Sequence, residues 1–532
     1  MVNELKNEIK KQNNYQLTEN GAVGYKSTGS LLTDLNFRVS SMRNEVTADD
    51  MNIFVQAMKE DLEYAIKWLF FMRDIRCGMG ERDTFQKFYM KYALYFPKEA
   101  KATFKLISEF GRWKDVIDII NMDTNDILGG MDLVKDVLYN DMKNCMEGKS
   151  ITLLAKWMPS INASGKARIQ AKKFIKHFGL SKESYRKMLS KLRAYLDITE
   201  VKTCDNRWSE IDYNKVSSNA NKRYINAFKK HDNERYMEHC LKALDTSINP
   251  NVKMHASVLF PHEIWNKYTK LPGLSYIDCY YRGKKYFDII QPAPADISLE
   301  AMWKNLAEMG DCGNTMVVVD GSSSMTDCIK SKNFNVKPID VARSLGVYFA
   351  ERCKGEFNNI LMEFSSKPKL IDFNDCKTLR DKIIKLSNYT DCSNTDIEAV
   401  FMLILQTAVN ANMNQSDLPD RILIVSDMEF DVASRNTQCN IYGMKGLFEK
   451  LSDRFMKYGY KLPKLIFWNI NSRTNTIPMT ENEMGVIMIS GFSPNIMSMV
   501  MSGQTDPWIA LKDKLDEKRY NCISDILKSI KG

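Results

Sequence analysis

The strongest constraint on the fold is an alternation of short apolar runs and helical segments in the C-terminal part of the chain. The runs are rich in Val and Ile and occupy residues 316–320, 360–364, 422–427, 465–470 and 486–490. Segments with helical periodicity lie between or beyond them, near residues 338–352, 377–386, 396–411, 441–457 and 493–502. Because such strands alternate with helices in parallel sheets covered on both faces, we predict a doubly wound, Rossmann-like α/β domain over residues 300–532.

Helical segments follow one another through most of the N-terminal half. Apolar residues recur at helical spacing near residues 50–59, 62–72, 84–108, 114–121, 131–146, 151–158, 166–178 and 182–195. This succession predicts an α-solenoid of the HEAT type over residues 50–290. We expect residues 1–49 to form an N-terminal extension that packs on the rest. The sequence Gln291-Pro-Ala-Pro-Ala-Asp296 is the best candidate linker.

The composition is that of a globular protein with more than one domain. The chain has 532 residues, of which 44% are hydrophobic and 27% are charged, and a chain of this length divides into several cores. It contains no run of 18 uncharged apolar residues, and its N-terminus lacks the apolar region of a signal peptide. The twelve cysteines include no C-x-x-C pair, so we expect reduced thiols. We therefore expect a cytoplasmic protein without a membrane partner, or a virion-associated one if it is encoded by a phage.

Hydroxyl and carboxylate side chains cluster where the predicted strands end. The first strand ends in Asp320, and Ser322 and Ser324 follow it at alternate positions. Thr395 stands just ahead of a helix, and Asp427 ends the third apolar run. Ligands of a doubly wound sheet bind beyond the carboxyl ends of its strands, and Mg²⁺ prefers oxygen ligands. These five residues therefore predict a divalent-metal site; Mg²⁺ is the expected ion, with Mn²⁺ and Ca²⁺ as alternatives.

The predicted donor set favours binding over catalysis. Neutral hydroxyls donate little charge, so an ion held mainly by them stays electrophilic and can accept an acidic side chain or a phosphate from a partner. A hydrolase would need a general base, but all five histidines lie at or before His262. We therefore expect no enzymatic activity. The alternative interpretation of Gly321-Ser-Ser-Ser324 is a flexible loop without a metal.

The positive charge of the chain is concentrated in one segment. The net charge is +9, and residues 151–230 alone hold 18 basic and 6 acidic residues. In a helix over residues 166–178, Arg168, Lys172 and Lys176 recur every four residues and share one stripe. Such an excess favours a polyanionic partner, of which nucleic acid is the usual one. The predicted RNA-binding residues are Lys166, Arg168, Lys172, Lys173, Lys176, Lys182, Arg186, Lys187, Lys222 and Arg223.

Aromatic residues stand among these cations. Tyr185, Trp208 and Tyr224 are candidates for stacking on unpaired bases, which is how single-stranded RNA is usually held. The alternative is that the charged segment is only a solvated helix face, because Phe174 and Leu189 show that the same helices also pack against a core.

Several further motifs occur in the order found in one known family. They are Arg73-Asp-Ile-Arg-Cys-Gly-Met-Gly-Glu81-Arg82, Gly111-Arg-Trp-Lys-Asp115, Ala155-Lys-Trp-Met-Pro159, Asn206-Arg-Trp-Ser-Glu210, Ser426-Asp-Met-Glu-Phe-Asp431 and Ser490-Gly-Phe-Ser493. From about residue 17 to its end, the chain resembles the Ro ribonucleoprotein family and is most similar to the plant, bacterial and phage branch of that family. Within the first motif, we interpret Arg73, Glu81 and Arg82 as ion pairs that hold one turn.

The resemblance implies an architecture and a partner. Ro proteins consist of a TROVE-type ring of HEAT-like helices closed by a von Willebrand factor A domain, and the five predicted metal ligands resemble the metal-ion-dependent adhesion site of that domain. Ro proteins hold single-stranded RNA ends in the ring and structured RNA on its outer basic face. The resemblance therefore implies a small non-coding RNA, or a single-stranded RNA end, as the partner.

Two functions are compatible with these observations. The leading hypothesis is a non-catalytic RNA-binding protein whose helical part binds RNA through the basic segment, while the metal site recruits an acidic group on a protein partner. The alternative is a metal-dependent protein–protein interaction scaffold that does not bind RNA.

Overall fold

The computed structural model divides the chain into two compact units. The sheet unit contains residues 1–53 and 259–514, and the helical unit contains residues 54–258 and 515–532. The residues that the structure describes are 14–17, 23–245, 247–269, 294–308, 312–326, 329–331, 334–364, 368–388, 396–428, 443–475, 477, 486–497, 499 and 506–531. Among these residues, no helix is both long enough and apolar enough to cross a membrane.

The helices are named in chain order. They are α1 (Leu31–Arg38), α2 (Ala48–Glu60), α3 (Leu62–Arg73), α4 (Asp83–Tyr95), α5 (Pro97–Thr103), α6 (Ile107–Phe110), α7 (Trp113–Met122), α8 (Gly130–Met146), α9 (Leu154–Trp157), α10 (Gly165–Phe178), α11 (Lys182–Tyr195), α12 (Thr199–Cys204), α13 (Ser218–His231), α14 (Asn233–Leu244), α15 (Pro261–Tyr268), α16 (Ile297–Lys304), α17 (Pro338–Ala350), α18 (Leu379–Ser387), α19 (Ile397–Asn410), α20 (Gly443–Lys457), α21 (Pro507–Leu515) and α22 (Asn521–Lys531).

The strands all belong to the sheet unit. They are β1 (Tyr15–Leu17), β2 (Val23–Tyr25), β3 (Thr315–Asp320), β4 (Ile329–Ser331), β5 (Phe334–Val336), β6 (Ile360–Phe364), β7 (Lys369–Asp372), β8 (Arg421–Ser426), β9 (Lys464–Asn469) and β10 (Val486–Ser490).

Six strands form one sheet, in the order β10-β9-β8-β3-β6-β7. All neighbouring pairs are parallel except β6 and β7, which are antiparallel. If the six strands are numbered 1 to 6 in chain order, from β3 to β10, their order across the sheet from β7 to β10 is 3-2-1-4-5-6. This is the strand order of a doubly wound fold. The predicted Rossmann-like sheet is therefore confirmed. The edge strand β7 was not predicted, because only Ile371 of its four residues is buried and the sequence shows no apolar run there.

One face of the sheet is covered by α17, which is buried along its whole length. Gly346 allows this helix to approach the strands closely. A Cβ atom at Gly346 would lie 2.5 Å from Cγ2 of Val319 in β3 and 2.6 Å from Cδ1 of Leu361 in β6.

The other face carries a large apolar cluster of buried residues. Val318 of β3 and Ile424 of β8 pack there with Phe401 of α19 and with Phe448 of α20. Val318 and Val319 thus point to opposite faces, as successive residues of a strand must, and apolar side chains pack against both faces.

Segments outside the predicted α/β domain complete the sheet unit. Helix α1 packs against β10, and the Ser40 amide donates to Oγ of Ser490 at 3.1 Å. Asn469 Nδ2 at the end of β9 donates to the Phe37 carbonyl at 2.9 Å. Helix α15 packs on α17 with Trp265 fully buried. Tertiary contacts of these N-terminal and central segments, rather than sequence order, decide the composition of the unit.

The helical unit is built from helices that pack mainly on near neighbours in sequence. Helix α4 contacts α3, α5 and α7, α8 contacts α7, α10 and α11, and α13 contacts α14. Packing of this local kind is typical of an α-solenoid. The single segment predicted over residues 84–108 is interrupted at Phe96, because Pro97 begins the next helix.

The last helix of the chain belongs to the helical unit. Helix α22 packs on α3 and α5, with Ile523 buried and Ser524 donating to Oε1 of Glu63 at 2.6 Å. The turn before it pairs Arg519 with Asp74. The unit boundaries therefore fall at residues 53/54, 258/259 and 514/515. The sequence predicted two consecutive domains, over residues 50–290 and 300–532, whereas each observed unit combines segments that are distant in the sequence. Residues 291–293 of the predicted linker lie outside the described part of the chain.

We expect Gly346→Ala to lower the free energy of unfolding of the sheet unit by about 1–3 kcal/mol, because the methyl group would have to displace Val319 and Leu361. Thermal unfolding followed by circular dichroism measures the effect. Thr407→Ala, at an exposed position of α19, is the control and should change stability by less than about 0.5 kcal/mol. A Gly346→Ala protein as stable as the parent would show that α17 does not approach β3 this closely.

Candidate functional site

The carboxyl ends of β3 and β8 lie side by side in the sheet unit. The two strands pair in parallel with Val319 opposite Val425, which places Asp320 beside Ser426. Asp320 is fully buried; its Oδ2 accepts a hydrogen bond from Oγ of Ser426 at 2.6 Å, and its Oδ1 accepts from the amide of Ser322 at 2.9 Å. The Asp320 carboxylate is thus held in one orientation at the mouth of the sheet.

The hydroxyl groups of the following loop are also in contact. Oγ of Ser322 lies 2.9 Å from Oγ of Ser324, and Ser322 is buried. The loop continues as a single helical turn over residues 323–326. The structure therefore brings together three of the five predicted metal ligands.

Of the other two predicted ligands, Asp427 is described in the structure and Thr395 is not. Asp427 directly follows the strand β8 and is buried, and its Oδ2 lies 3.6 Å from a guanidinium nitrogen of Arg473. Thr395 lies outside the described residues. Arg473 itself was not predicted from the sequence. It stands beyond the end of β9, the strand next to β8, which is the position from which a side chain can reach this edge of the sheet.

A buried ion pair lies behind the loop. Glu363 of β6 accepts a hydrogen bond from Arg343 of α17 at 2.6 Å. A Cβ atom at Gly321 would lie 2.6 Å from Oε1 of Glu363, so a larger residue there would displace the Glu363 carboxylate from its position beside Arg343. The signal that sequence reasoning missed was a charged residue inside the otherwise apolar run Ile360-Leu-Met-Glu-Phe364.

The side chains at this edge of the sheet offer oxygen donors for a divalent cation. Asp320, Asp427, Ser322 and Ser324 offer only oxygen atoms, which suits a hard ion such as Mg²⁺. Among the described residues, no group of three or more His, Cys, Asp or Glu side chains is placed to hold a metal. Two carboxylates do not suffice for an all-protein site, so metal binding here would depend on the serine hydroxyls and on water. The residues fit a weakly charged, partly hydrated magnesium site.

The predicted RNA-binding residues lie on the surface of the helical unit. Helix α10 contains no Asp or Glu and buries Ala171, Phe174, Ile175 and Phe178. Its cations lie on the remaining surface, and Arg168, Lys172 and Lys176 form one exposed stripe, as the spacing predicted. The other exposed members of the predicted set are Lys166, Lys173, Lys182, Arg186, Lys187 and Arg223, while Lys222 is partly exposed.

These surface cations have few ionic partners. Lys187 pairs with Glu183 at 2.7 Å on the same helix. Within the described part of the chain, no carboxylate lies within ion-pair distance of the other exposed members of the set. Arg193 of the same segment is different, because it donates to the carbonyls of Ala155 at 2.9 Å and Met158 at 2.7 Å and holds α11 against the preceding turn.

Two of the three aromatic residues predicted to stack on RNA bases make contacts within the helical unit instead. Tyr185 is fully buried and its hydroxyl donates to the Pro159 carbonyl at 2.8 Å, so the prediction that it stacks on bases is wrong. One face of Trp208 is covered by His231, with ring centroids 4.5 Å apart and planes 5° apart. Tyr224 is partly exposed. Amphipathic helices place Tyr185 inward, although the sequence surrounds it with exposed cations.

Comparisons with known proteins cover both units. The family model "Domain of unknown function (DUF7788)" matches residues 314–521, and "Domain of unknown function (DUF2828)" matches residues 166–311. The two matched ranges include every residue of the predicted metal and RNA sites. The relative "Uncharacterized protein L728" of Acanthamoeba polyphaga mimivirus is 28% identical over 526 residues, which is 92% of this chain and 85% of that protein. The crystal structure of the Deinococcus radiodurans RO (RSR) protein aligns with 90% of this chain and 100% of its own, at 13% identity and a TM-score of 0.48.

We expect Tyr185→Phe to lower the stability of the helical unit by about 1 kcal/mol, because the buried Pro159 carbonyl would lose its donor. The same change should leave RNA affinity at its parental value. Thermal unfolding and fluorescence-anisotropy titration with a single-stranded RNA measure the two effects. A tenfold loss of RNA affinity without loss of stability would contradict the assignment of Tyr185 to the core.

Proposed function

We propose that this protein is a non-catalytic RNA-binding protein that holds RNA on the cationic surface of α10, α11 and α13. The observation that carries the proposal is the charge of α10, which presents Lys166, Arg168, Lys172, Lys173 and Lys176 to solvent without an acidic residue of its own. Unpaired surface cations at this density attract the phosphate backbone of a nucleic acid. The likeness of the sequence motifs to the Ro family supports RNA as the polyanion.

A helix face that served only solubility would have a different pattern. Surface helices usually intersperse both signs of charge and gain stability from pairs four residues apart. Helix α7 has such a pair in Lys114–Asp118, and α14 has one in Lys242–Glu238. Helix α10 lacks acidic residues altogether, so its cations repel one another in the absence of a partner. That repulsion is relieved when phosphates are bound, which favours a nucleic-acid surface.

The stripe predicts a specific salt dependence. Each phosphate contact releases condensed cations, so the logarithm of affinity for a single strand falls with the logarithm of salt with a slope near −0.7 per contact. Replacing Arg168, Lys172 and Lys176 together by Gln removes three candidate contacts. We expect the slope to become shallower by about 2 units, with weaker binding at low salt. Fluorescence-anisotropy titrations with a single-stranded RNA at several salt concentrations measure this slope.

The matched control removes the same charge from another surface of the helical unit. Lys98, Lys101 and Lys105 are exposed, and their replacement by Gln should leave the slope unchanged. If the α10 variant keeps the parental affinity and slope, the stripe is only a solvated helix face. If the parent protein binds no RNA, the alternative of a protein–protein interaction scaffold takes its place.

We further propose that the loop after β3 binds a divalent cation, with Mg²⁺ expected, and recruits an acidic group of a protein partner. Asp320, Ser322 and Ser324 would hold the ion directly or through water, with Asp427 and Thr395 as the remaining ligands. Bound there, the ion would supply an electrophilic attachment point for a carboxylate or phosphate. The guanidinium of Arg473 beside Asp427 adds a second positive group for such an anion, and one third of its side chain is exposed.

The described part of this site contains no histidine that could act as a general base for hydrolysis. The described histidine of the sheet unit is His262, which lies in α15, stacks on Phe260 and contacts the ring of Phe492 edge to face. The serines of the loop contact each other and the Asp320 segment rather than an imidazole. These contacts support a binding role for the site rather than a catalytic one.

We expect Asp320→Ala with Ser322→Ala to abolish Mn²⁺ and Mg²⁺ binding, because the change removes the oriented carboxylate and one of the two paired hydroxyls. Asp427→Ala should have a smaller effect if its contact runs through water. Isothermal titration calorimetry measures metal affinity, and circular dichroism checks the fold. Asp453→Ala, an exposed carboxylate of α20, is the control. Unchanged metal affinity in the double variant would refute this assignment.

A further inference from the structure

Two motifs of the helical unit meet at one buried carboxylate. Asp115, in the first turn of α7, is fully buried, and its Oδ2 accepts hydrogen bonds from Nε of Arg73 at 2.9 Å and from Nη2 of the same residue. The same oxygen accepts from the amide of Arg112 at 3.1 Å and so caps the helix. Arg73 therefore pairs with the second motif, whereas the sequence suggested a pairing within the first.

Three arginines surround this single carboxylate. Nε of Arg112 lies 3.3 Å from Oδ1 of Asp115, and Nε of Arg82 lies 4.0 Å from the same oxygen. Burial by itself would raise the pKa of Asp115, but Arg73, Arg112 and Arg82 outweigh it and hold the pKa below its usual range. Asp83 adds a weaker negative field at Arg82. The groups in direct contact thus carry three positive charges and one negative charge.

The excess charge lies at the surface of the cluster. The Arg73 side chain is 1% exposed, whereas those of Arg82 and Arg112 are 40% and 27% exposed. Among the described residues, Nε of Arg82 and Nη1 of Arg73 are buried and have no hydrogen-bond partner. Trp157 lies against the guanidinium of Arg112 at 5.2 Å and limits its motion.

If these ion pairs served only to hold the fold, fewer arginines around Asp115 would be enough. One arginine already satisfies Oδ2 of Asp115, and Gly111 is required to let it do so, because a Cβ atom there would lie 2.7 Å from Nε of Arg73. Arg82 and Arg112 add two mutually repelling guanidinium groups, and the proximity of Arg112 helps to lower the pKa of Arg82 after the larger effect of burial. This arrangement is stabilised when an anion approaches from the solvent side.

We propose that Arg82 and Arg112 form a binding site for a dianionic phosphate group, either inorganic phosphate or the terminal phosphate of a monoester. The buried Arg73–Asp115 ion pair lies beneath this site and supports it. Guanidinium groups bind phosphate through two parallel N–H donors, and two such groups above one neutralised pair supply the charge that a dianion requires. A backbone phosphodiester carries one charge and matches less well. The site is independent of the cationic surface of α10, α11 and α13.

The first test uses the parent protein alone. Phosphate that binds the folded state stabilises it by mass action, so thermal unfolding in sodium phosphate should occur at least about 2 °C higher than in sodium chloride of the same ionic strength and pH. Isothermal titration with inorganic phosphate gives the affinity. A parent protein whose unfolding temperature is the same in both salts, and which shows no binding heat at millimolar phosphate, overturns the proposal.

The second test uses Arg82→Gln with Arg112→Gln. We expect phosphate affinity to fall at least tenfold, and the difference in unfolding temperature between the two salts to disappear. Arg82→Lys with Arg112→Lys keeps the charge but loses the paired donors, so its affinity should be intermediate. If the double Gln variant does not fold, the single variants serve, because each side chain is partly exposed. Parental affinity in the Gln variants overturns the proposal.

The matched control is Arg207→Gln. The Arg207 side chain is 41% exposed, almost the same fraction as Arg82, but it is paired with both Asp205 and Glu210. Its replacement should leave phosphate affinity unchanged. A loss as large as that of the double variant would show a general effect of surface charge and would overturn the assignment to Arg82 and Arg112.

Two oligonucleotides identify the source of the phosphate. A single-stranded RNA with a 5′-phosphate is compared with the same RNA ending in a 5′-hydroxyl. A preference of at least fivefold for the phosphorylated end, lost in the double Gln variant, assigns the site to a nucleic-acid terminus. Equal binding of both RNAs by a protein that binds inorganic phosphate assigns the site to a free phosphate or a small phosphate monoester.

Discussion

The parallel pairing of β3 with β8 is the contact on which the candidate metal site depends. Both strands are buried on both faces, so their register is set by packing against α17 on one side and against α19 and α20 on the other. That register places Asp320 beside Ser426 and brings Asp427 to the same edge. A slip of one residue would turn Asp320 into the opposite face of the sheet and separate it from the serine that orients it.

The arginines and lysines of the helical unit fall into two classes that their sequence context does not distinguish. Those of α10 point away from an apolar face and remain in solvent, whereas Arg193 of α11 is used for backbone hydrogen bonds inside the unit. Helical periodicity separates the faces of a helix but does not say which carbonyl groups of a neighbouring turn are left without donors. Only the path of residues 155–158 reveals that Arg193 supplies them.

Buried charge has a different role in each unit. In the sheet unit, Arg343 and Glu363 neutralise each other behind the loop after β3, and Gly321 leaves room for the carboxylate. In the helical unit, Asp115 is outnumbered by arginines, two of which reach the surface. A balanced buried pair supports local structure, whereas an unbalanced one near solvent attracts a counter-ion. The positions of the partners, and not their number in the sequence, separate the two cases.

The sequence by itself determined the class of each unit and predicted which oxygen-bearing side chains stand at the ends of buried strands, because apolar periodicity and strand ends are local properties. It located five strands of the sheet, most of the helices and the cationic stripe of α10. It could not locate the edge strand β7, whose exposed residues form no apolar run, or the inward position of Tyr185. The tertiary structure alone decided that α1 and α15 complete the sheet unit, that α22 returns to the helical unit, and that Arg73 and Asp115 meet across 42 residues. These are contacts between distant parts of the chain, which depend on the three-dimensional fit of whole elements and leave no periodic signal in the sequence.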